Sequence, residues 1–471
     1  MKILLTGANG YIGKRLIRKL ISEKHHIYCC VRDRKRFYIN LESEKLHILE
    51  LDFLNKDSLR IIPNDIDVAF YLIHSMASST HSFNQLEQDC AHNFKRAIRK
   101  TNVKQVIYLS GITNAKQLSS HLESRKNVEN IIQSNKYHVT TLRAGIIIGS
   151  GSASFEILRD LVEKLPVMIT PKWLNTRCQP IAISNVLDYL VGVMMQKSCF
   201  NMSYDIGGPD VLTYKEMLMR YAKIRKLKRY IYTIPIMTPK LSSYWLYFVT
   251  STSYQLAINL VNSMKVEVVC EKNNLNDLLV IPLINYNSAI KRCFATINNQ
   301  DIPSSWTDAL TNSTVAKDFS ELRIVPDYGC LLDVQRISII NEENVINKIW
   351  NIGGKTGWYY GNWLWRTRGF VDKLFFGVGL RRGRRNTHSI TAGETLDFWR
   401  VIDANKKEKR LLLFAEMKLP GEAWLEFKIK NNILIQTATF RPHGLSGRIY
   451  WYLLIPIHKI IFKGMIRKIS L

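Results

Sequence analysis

Short apolar runs alternate with helical periodicity through about the first 150 residues. Strand-like runs fall at residues 2–6, 27–31, 46–51, 68–73, 106–110 and 140–148, and amphipathic helices are predicted near 14–22, 83–100 and 122–133. Apolar strands separated by helices are the pattern of an α/β, Rossmann-type doubly wound parallel sheet, in which ligands bind beyond the carboxyl ends of the strands. From Gly149 to about Phe319 the periodicity loosens. Helices at 152–165 and 185–195 and a short strand at 204–208 follow, two further helices at 214–224 and 244–264 predict a small cap over the strand ends, and the polar stretch 298–312 begins a linker. The tail reads differently. A helical stretch at 345–352, antiparallel strands at 410–417, 422–429 and 434–440, and a closing helix at 450–469 predict an α+β cup with an apolar interior. The domains read as 1–235 for nucleotide binding, 236–325 for cap and linker, and 326–471 for the α+β unit.

The first strand runs directly into Gly7-Ala8-Asn9-Gly10-Tyr11-Ile12-Gly13, and a helix follows. Chemistry explains the spacing: Gly7 permits the turn, Gly10 lets backbone N–H groups approach a pyrophosphate, and Gly13 lets helix and strand pack closely. The anion then rests on the positive end of the helix. Gly7, Asn9, Gly10, Tyr11, Ile12 and Gly13 are therefore candidate cofactor-binding residues. The second strand ends at Arg32-Asp33-Arg34-Lys35-Arg36. A guanidinium there suits a 2′-phosphate, whereas a carboxylate would grip a free ribose hydroxyl, so NADP(H) is favoured and Asp33 keeps NAD(H) open. Lys35 and Arg36 read as solvated loop. Other strand ends add Asp52 and Phe53 as flanks for an adenine, His74 and Ser75 near ribose and nicotinamide, and Ser110; the stretch from Arg143 to Ile146 lies at the same edge.

Composition adds limits. Sixty-six Lys and Arg against 39 Asp and Glu give a net charge of +27, and the basic residues are spread along the chain. No zinc-finger spacing or RNA-binding aromatic signature accompanies them, so nucleic acid is set aside in favour of a general basic surface, with contact to anionic lipid as the second reading. Eight irregularly spaced cysteines form neither a CxxC pair nor a disulfide framework, and no metal site is expected. A reduced, cytoplasmic protein is the expectation, with peripheral contact at the inner face of the membrane as an addition. Residues 243–260 and 449–461 come nearest to a transmembrane span, but their polar residues and Pro456 fit buried or interfacial helices better.

Several runs together resemble a bacterial family of atypical short-chain dehydrogenase/reductases, NmrA-like, with a C-terminal domain of unknown function. They are Tyr71-Leu72-Ile73-His74-Ser75-Met76, Ser119-Ser120-His121-Leu122-Glu123-Ser124-Arg125, Leu142-Arg143-Ala144-Gly145-Ile146 and Gly149-Ser150-Gly151-Ser152-Ala153-Ser154-Phe155-Glu156. The tail contributes Gly357-Trp358-Tyr359-Tyr360-Gly361-Asn362-Trp363-Leu364-Trp365 and Phe440-Arg441-Pro442-His443-Gly444. The nucleotide-binding half also resembles the accessory subunit of respiratory complex I that holds NADPH without turnover. The tail resembles a START-type helix-grip domain, which implies an enclosed apolar ligand.

The chain departs from the broader family at the catalytic pair. Active short-chain reductases carry Tyr and Lys one helical turn apart, the cation lowering the phenol's pKa for proton transfer. Here the matching places hold His121 and Arg125. Arg supplies charge but no proton, while His exchanges protons near neutral pH. One reading makes His121 or His74, with Arg125, the catalytic set of an enzyme reducing an apolar carbonyl or quinone-like compound presented from the tail. The other makes Arg125 a cofactor clamp in a non-catalytic NADP(H)-binding scaffold or redox sensor that docks on a protein complex. Five aromatic residues between Trp358 and Trp365 divide between core and cavity lining, and the run Arg381-Arg382-Gly383-Arg384-Arg385 reads as a solvated loop or a lipid-headgroup contact.

Overall fold

A computed structural model describes the chain except for residues 35–36, 38, 40–42, 74–79, 115–117, 235–245, 247–249, 251–253, 299–303, 305–321, 323–324, 327–328, 355, 376 and 381–389, and the side chains of 80–83, 120–121, 254–256, 259–260 and 298. Two compact units result, Met1–Thr311 and Asn312–Leu471.

The first unit is built on seven strands: β1 (Lys2–Leu5), β2 (His26–Val31), β3 (Leu46–Glu50), β4 (Val68–Tyr71), β5 (Gln105–Gly111), β6 (His138–Ala144) and β7 (Ser203–Ile206). All pair in parallel, in the order β7-β6-β5-β4-β1-β2-β3. This is the doubly wound topology, with the crossover between β1 and β4. Both faces are covered, so the central strands have no polar side. Ile3, Leu5, Val68, Phe70 and Ile107 point to the layer holding α1 (Tyr11–Ser22) and α5 (Ile183–Gly192). Leu4, Ala69, Tyr71 and Val106 point to the layer of α2 (Thr80–Ile98) and α3 (Ser120–Ile132). Burying each of the Val, Leu, Ile and Phe side chains among them is worth about 1.5–3 kcal/mol, and the two-sided burial keeps the register from slipping.

One sequence expectation changes here. The strand expected over 140–148 stops at Ala144, because a side chain at Gly145 would lie 2.2 Å from the Gln179 carbonyl oxygen; Ile147–Ile148 pairs instead with Ile181–Ala182. The short strand near Tyr204 belongs to the edge of the main sheet. The remaining helices, α4 (Ala153–Lys164), α6 (Tyr214–Ile224), α7 (Tyr254–Met264) and α8 (Tyr286–Asn298), share a further core in which Phe155, Tyr221 and Phe294 meet edge to face.

The second unit is an antiparallel sheet under helices. Its strands are β8 (Leu331–Ser338), β9 (Thr395–Leu396), β10 (Trp399–Asn405), β11 (Arg410–Ala415), β12 (Gly421–Lys430) and β13 (Ile433–Pro442), ordered β8-β13-β12-β11-β10-β9. Helices α9 (Glu342–Trp350), α10 (Asn362–Leu374) and α11 (Gly444–Ser470) contribute Val345, Trp365, Phe462 and Met465 to one core with Leu413, Leu425 and Phe427 of the sheet. Trp358, Trp365, Phe398 and Trp399 cluster at one end of it. Two charges are sealed in beside them. Arg400 and Glu416 are each 1% exposed, and the Arg400 Nε–H donates to Glu416 Oε1 at 2.8 Å.

Asp397, in the turn between β9 and β10, is also buried, and accepts a 2.8 Å hydrogen bond from the Trp358 indole N–H. Burial outweighs that bond and raises its pKa from 3.8 to about 6. A carboxyl whose folded pKa lies above its unfolded one stabilises the fold fully below about pH 4, and loses that contribution as pH rises through 6. Asp397→Asn keeps an acceptor for Trp358 and tolerates the positive φ of 53°. It is expected to flatten the fall in stability between pH 4 and 6, of order 1–3 kcal/mol, in urea melts across that range; an unchanged pH profile would contradict the assignment.

Candidate functional site

The carboxyl ends of β1 to β6 bring the candidate residues to one edge. Beyond β1, Thr6 Oγ1 donates to the Phe70 carbonyl and accepts from the Leu72 N–H, both at 3.0 Å, tying the glycine turn to β4. Gly7 takes φ +65°, and a side chain there would sit 2.6 Å from the Leu72 carbonyl oxygen. At Gly13 a Cβ would meet the Gly7 carbonyl oxygen at 2.3 Å. Only glycine fits at either place. Gly10 differs: its Cβ would have one neighbour, the Gly7 oxygen at 3.1 Å, and would otherwise face open space. Gly10 is also the N-cap of α1, where no side chain caps the helix and no acidic residue occupies the first turn. The first-turn N–H groups of α1 thus face a cradle that suits an anion.

The first helical turn is held from behind. The Arg15 guanidinium lies 4.7 Å over the Tyr11 ring and donates to the Ser150 carbonyl at 2.7 Å and to Ser304 Oγ at 3.1 Å; Ser304 in turn donates to the Tyr11 carbonyl. The Tyr11 hydroxyl presses on Gly149, where a Cβ would approach it to 2.3 Å, and burial pushes the phenol's pKa up. Tyr11 therefore meets a nucleotide only through its backbone, and Ile12 packs into the core. Sequence reasoning did not single out Arg15, Ser150 or Ser304; the glycine-serine run at 149–152 was the available signal.

Arg32 is exposed immediately beyond β2. Its charge and that of Asp52 both act on Cys90 of α2, which places the two side chains at the same corner; burial is the main cause of the Cys90 thiol's rise to about 12. Asp52 accepts from the Leu54 N–H at 3.0 Å and so shapes its own turn. Phe53, expected to flank an adenine, has its ring turned inward. Phe53 is buried against Phe94 at 5.8 Å, and only its backbone, held by Asn93 Nδ2 on the carbonyl at 2.8 Å, remains at the edge.

Ser110, at the end of β5, is 1% exposed, and its Oγ interacts with the Tyr108 hydroxyl. The Arg125 stem runs beside Gly111, and its buried Nε has no described partner. Tyr108, beneath, donates to the Arg125 carbonyl at 3.3 Å; its own pKa is raised to about 12, chiefly by burial. His121 lies on the first turn of α3, with its side chain outside the described atoms; His74 and Ser75 lie outside the described residues altogether. One more cluster closes the edge. Arg143 is paired with Glu129 at 2.8 Å, and Asp205, its carboxyl pKa raised by burial, accepts from Asn114 Nδ2 and from the Glu271 N–H.

An uncapped helix behind three glycines, at the crossover of a parallel sheet, is nucleotide-binding geometry, and residues 7–160 match the family of NAD(P)H-binding proteins. This matched part of the first unit is an NAD(P)H-binding domain. A nucleoside-diphosphate-sugar epimerase from Staphylococcus aureus is similar in fold over 62% of this chain and 100% of its own, at 14% identity and a TM-score of 0.51. An epimerase from Methanothermobacter thermautotrophicus is similar over 64% of this chain and 94% of its own, at 11% identity and a TM-score of 0.51. At these identities the likeness shows the fold alone, the parallel sheet that the two epimerases share with this chain. Residues 330–465 match a family described as proteins of unknown function, DUF2867. No curated protein matches the chain.

The NAD(P)H-binding domain fits its cofactor on structural grounds: the cradle at Gly10 is one that a side chain would fill, and a buried polar group, Arg125 Nε, stands without a described partner further along the same edge.

Proposed function

We propose that the NAD(P)H-binding domain takes NADP(H) and reduces an apolar carbonyl or quinone-like compound as an atypical short-chain reductase. One observation carries the coenzyme choice: Arg32 stands exposed beyond β2, where an NAD-preferring site places a carboxylate against the ribose hydroxyl. NAD(H) is the alternative, through Asp33. Gly7, Gly10 and Gly13 would hold the pyrophosphate, Arg32 the 2′-phosphate, and Asp52 the adenine side. Bound here, a reduced nicotinamide supplies hydride to a carbonyl carbon. Ser110 offers a hydroxyl to the carbonyl oxygen or the ribose. Arg125 holds a fixed positive charge beside that oxygen and retains its protons. The proton taken up by the oxygen therefore falls to His121, one turn before Arg125, or to His74.

Arg32→Ala is expected to raise the Kd for NADPH about 10–100-fold while leaving that for NADH within about twofold, measured by fluorescence titration. Equal effects on the two coenzymes would refute the assignment. The His at position 121 also favours a second reading, in which the domain binds NADP(H) without turning it over and serves as a scaffold or redox sensor. Loss of NADPH absorbance with quinones and enones supports the reductase; NADPH that stays reduced, in protein that co-purifies with a partner complex, supports the scaffold.

A further inference from the structure

The second unit carries apolar residues on the wrong side of two helices. On α11, Leu445, Ile449, Leu453, Ile457 and Ile460 are exposed, Leu445 at 74% and Leu453 at 72%. Their spacing puts them on one stripe, opposite the buried Trp451, Phe462 and Met465. On α10, Trp363, Phe370, Leu374 and, just past its end, Phe375 are exposed in the same manner, while Trp365 and Gly369 face inward. The helices are neighbours: the Trp365 and Phe462 rings lie 6.4 Å apart, and Arg368 acts electrostatically on His458. Both helices pack on the same core, and each turns its exposed apolar stripe away from it.

Charge decides what covers them. Neither helix exposes a carboxylate: α11 contains no Asp or Glu, and Asp372, the one acidic residue of α10, is 1% exposed. Arg366 on α10, and Arg448, Lys459 and Lys463 on α11, are exposed along the margins of the stripes. Tyr452 and Trp363, each an apolar ring with a polar tip, are exposed among them. Two apolar helical faces bordered only by cations and carrying Trp and Tyr match the boundary between headgroups and acyl chains of an anionic bilayer.

We propose that α10 and α11 seat the second unit on the surface of an anionic membrane, with both helices in the plane of the interface. Among the described residues α11 is the one helix long and apolar enough to cross a bilayer. It lies on the surface instead, because its inner face is fastened to the sheet: Trp451 stacks on Phe440 at 5.5 Å, and Phe462, Met465 and Ile466 belong to the core. The Lys and Arg stems lie along the apolar surface while their charges reach the headgroups.

The test is co-sedimentation of the full chain with vesicles of phosphatidylcholine alone or with about one-third phosphatidylglycerol. Binding to the anionic vesicles is expected to be about tenfold stronger or more, and to weaken at high salt. Leu453→Asp with Phe375→Asp alters two exposed positions, so the melting temperature is expected to hold while vesicle binding falls about tenfold or more. Failure to sediment with anionic vesicles, or equal binding by the double variant, overturns the proposal. So does light scattering that shows a dimer which the double variant dissolves, since the stripes would then be covered by a second copy of the chain.

Discussion

Gly13→Val is expected to lower the melting temperature and to abolish nicotinamide-nucleotide binding, whereas Gly10→Ala keeps the fold and loses affinity alone. The difference lies in what each new atom meets. At Gly13 a Cβ would stand 2.3 Å from the Gly7 carbonyl oxygen and 2.9 Å from the Ala8 Cα, both backbone atoms that cannot step aside without moving α1 off β1. Overpacking of this kind costs about 1–3 kcal/mol or more and displaces the very amides that face the pyrophosphate. At Gly10 the single neighbour is 3.1 Å away, a few tenths of an ångström of relaxation suffices, and an alanine N-cap costs a fraction of a kcal/mol to about 1 kcal/mol relative to glycine. Its methyl group instead occupies the cradle, for an expected loss of about tenfold or more in NADPH affinity. Calorimetric melting and coenzyme titration of both variants separate the two effects. Undiminished coenzyme binding by Gly10→Ala would remove the glycine turn as the pyrophosphate seat.

Arg400→Met is expected to cost about 3–5 kcal/mol in urea unfolding, because Glu416 is then left in the core without its guanidinium. The pair is sealed, each partner 1% exposed, and Arg400 Nη1 also donates to the Gly393 carbonyl at 2.8 Å, so the loop before β9 loosens with it. Arg400→Met together with Glu416→Leu should recover most of the loss, since two apolar side chains of similar volume avoid the cost of desolvating both charges. A double variant as unstable as the single one would mean that hydrogen bonding to the loop, rather than the ion pair, carries the effect.

The sheet of the first unit was legible because every layer obeys one rule: apolar strands with no polar side, then helices with one apolar face. The glycine turn was legible for the same reason, its three positions answering to three separate contacts. Strand β7 was harder to place, since four residues after a loop give no clue to the sheet they join. In the second unit the pattern is inverted. Strand β8 turns Asp333 and Gln335 inward and Leu332 and Val334 outward, and α10 buries Asp372 while exposing Trp363 and Phe370. The carboxylate of Asp372 is spent on the N–H groups of Gly379 and Lys418, at 2.8 and 2.7 Å. A hydrophobic pattern read alone therefore assigns the wrong face to parts of these elements. At the site, the strand ends were found from position alone, but the inward turn of the Phe53 ring depends on Phe94, 41 positions later, which no local pattern reveals.

Ser304 bonds to both Tyr11 and Arg15, so the turn that begins the chain is finished by a residue near the end of the same unit. During synthesis the ribosome must add nearly 300 further residues before that serine exists, roughly 15–60 s at ordinary elongation rates. Until then Arg15 can reach the Tyr11 ring and the Ser150 carbonyl, but the support behind the turn stays incomplete however early its own strands are made.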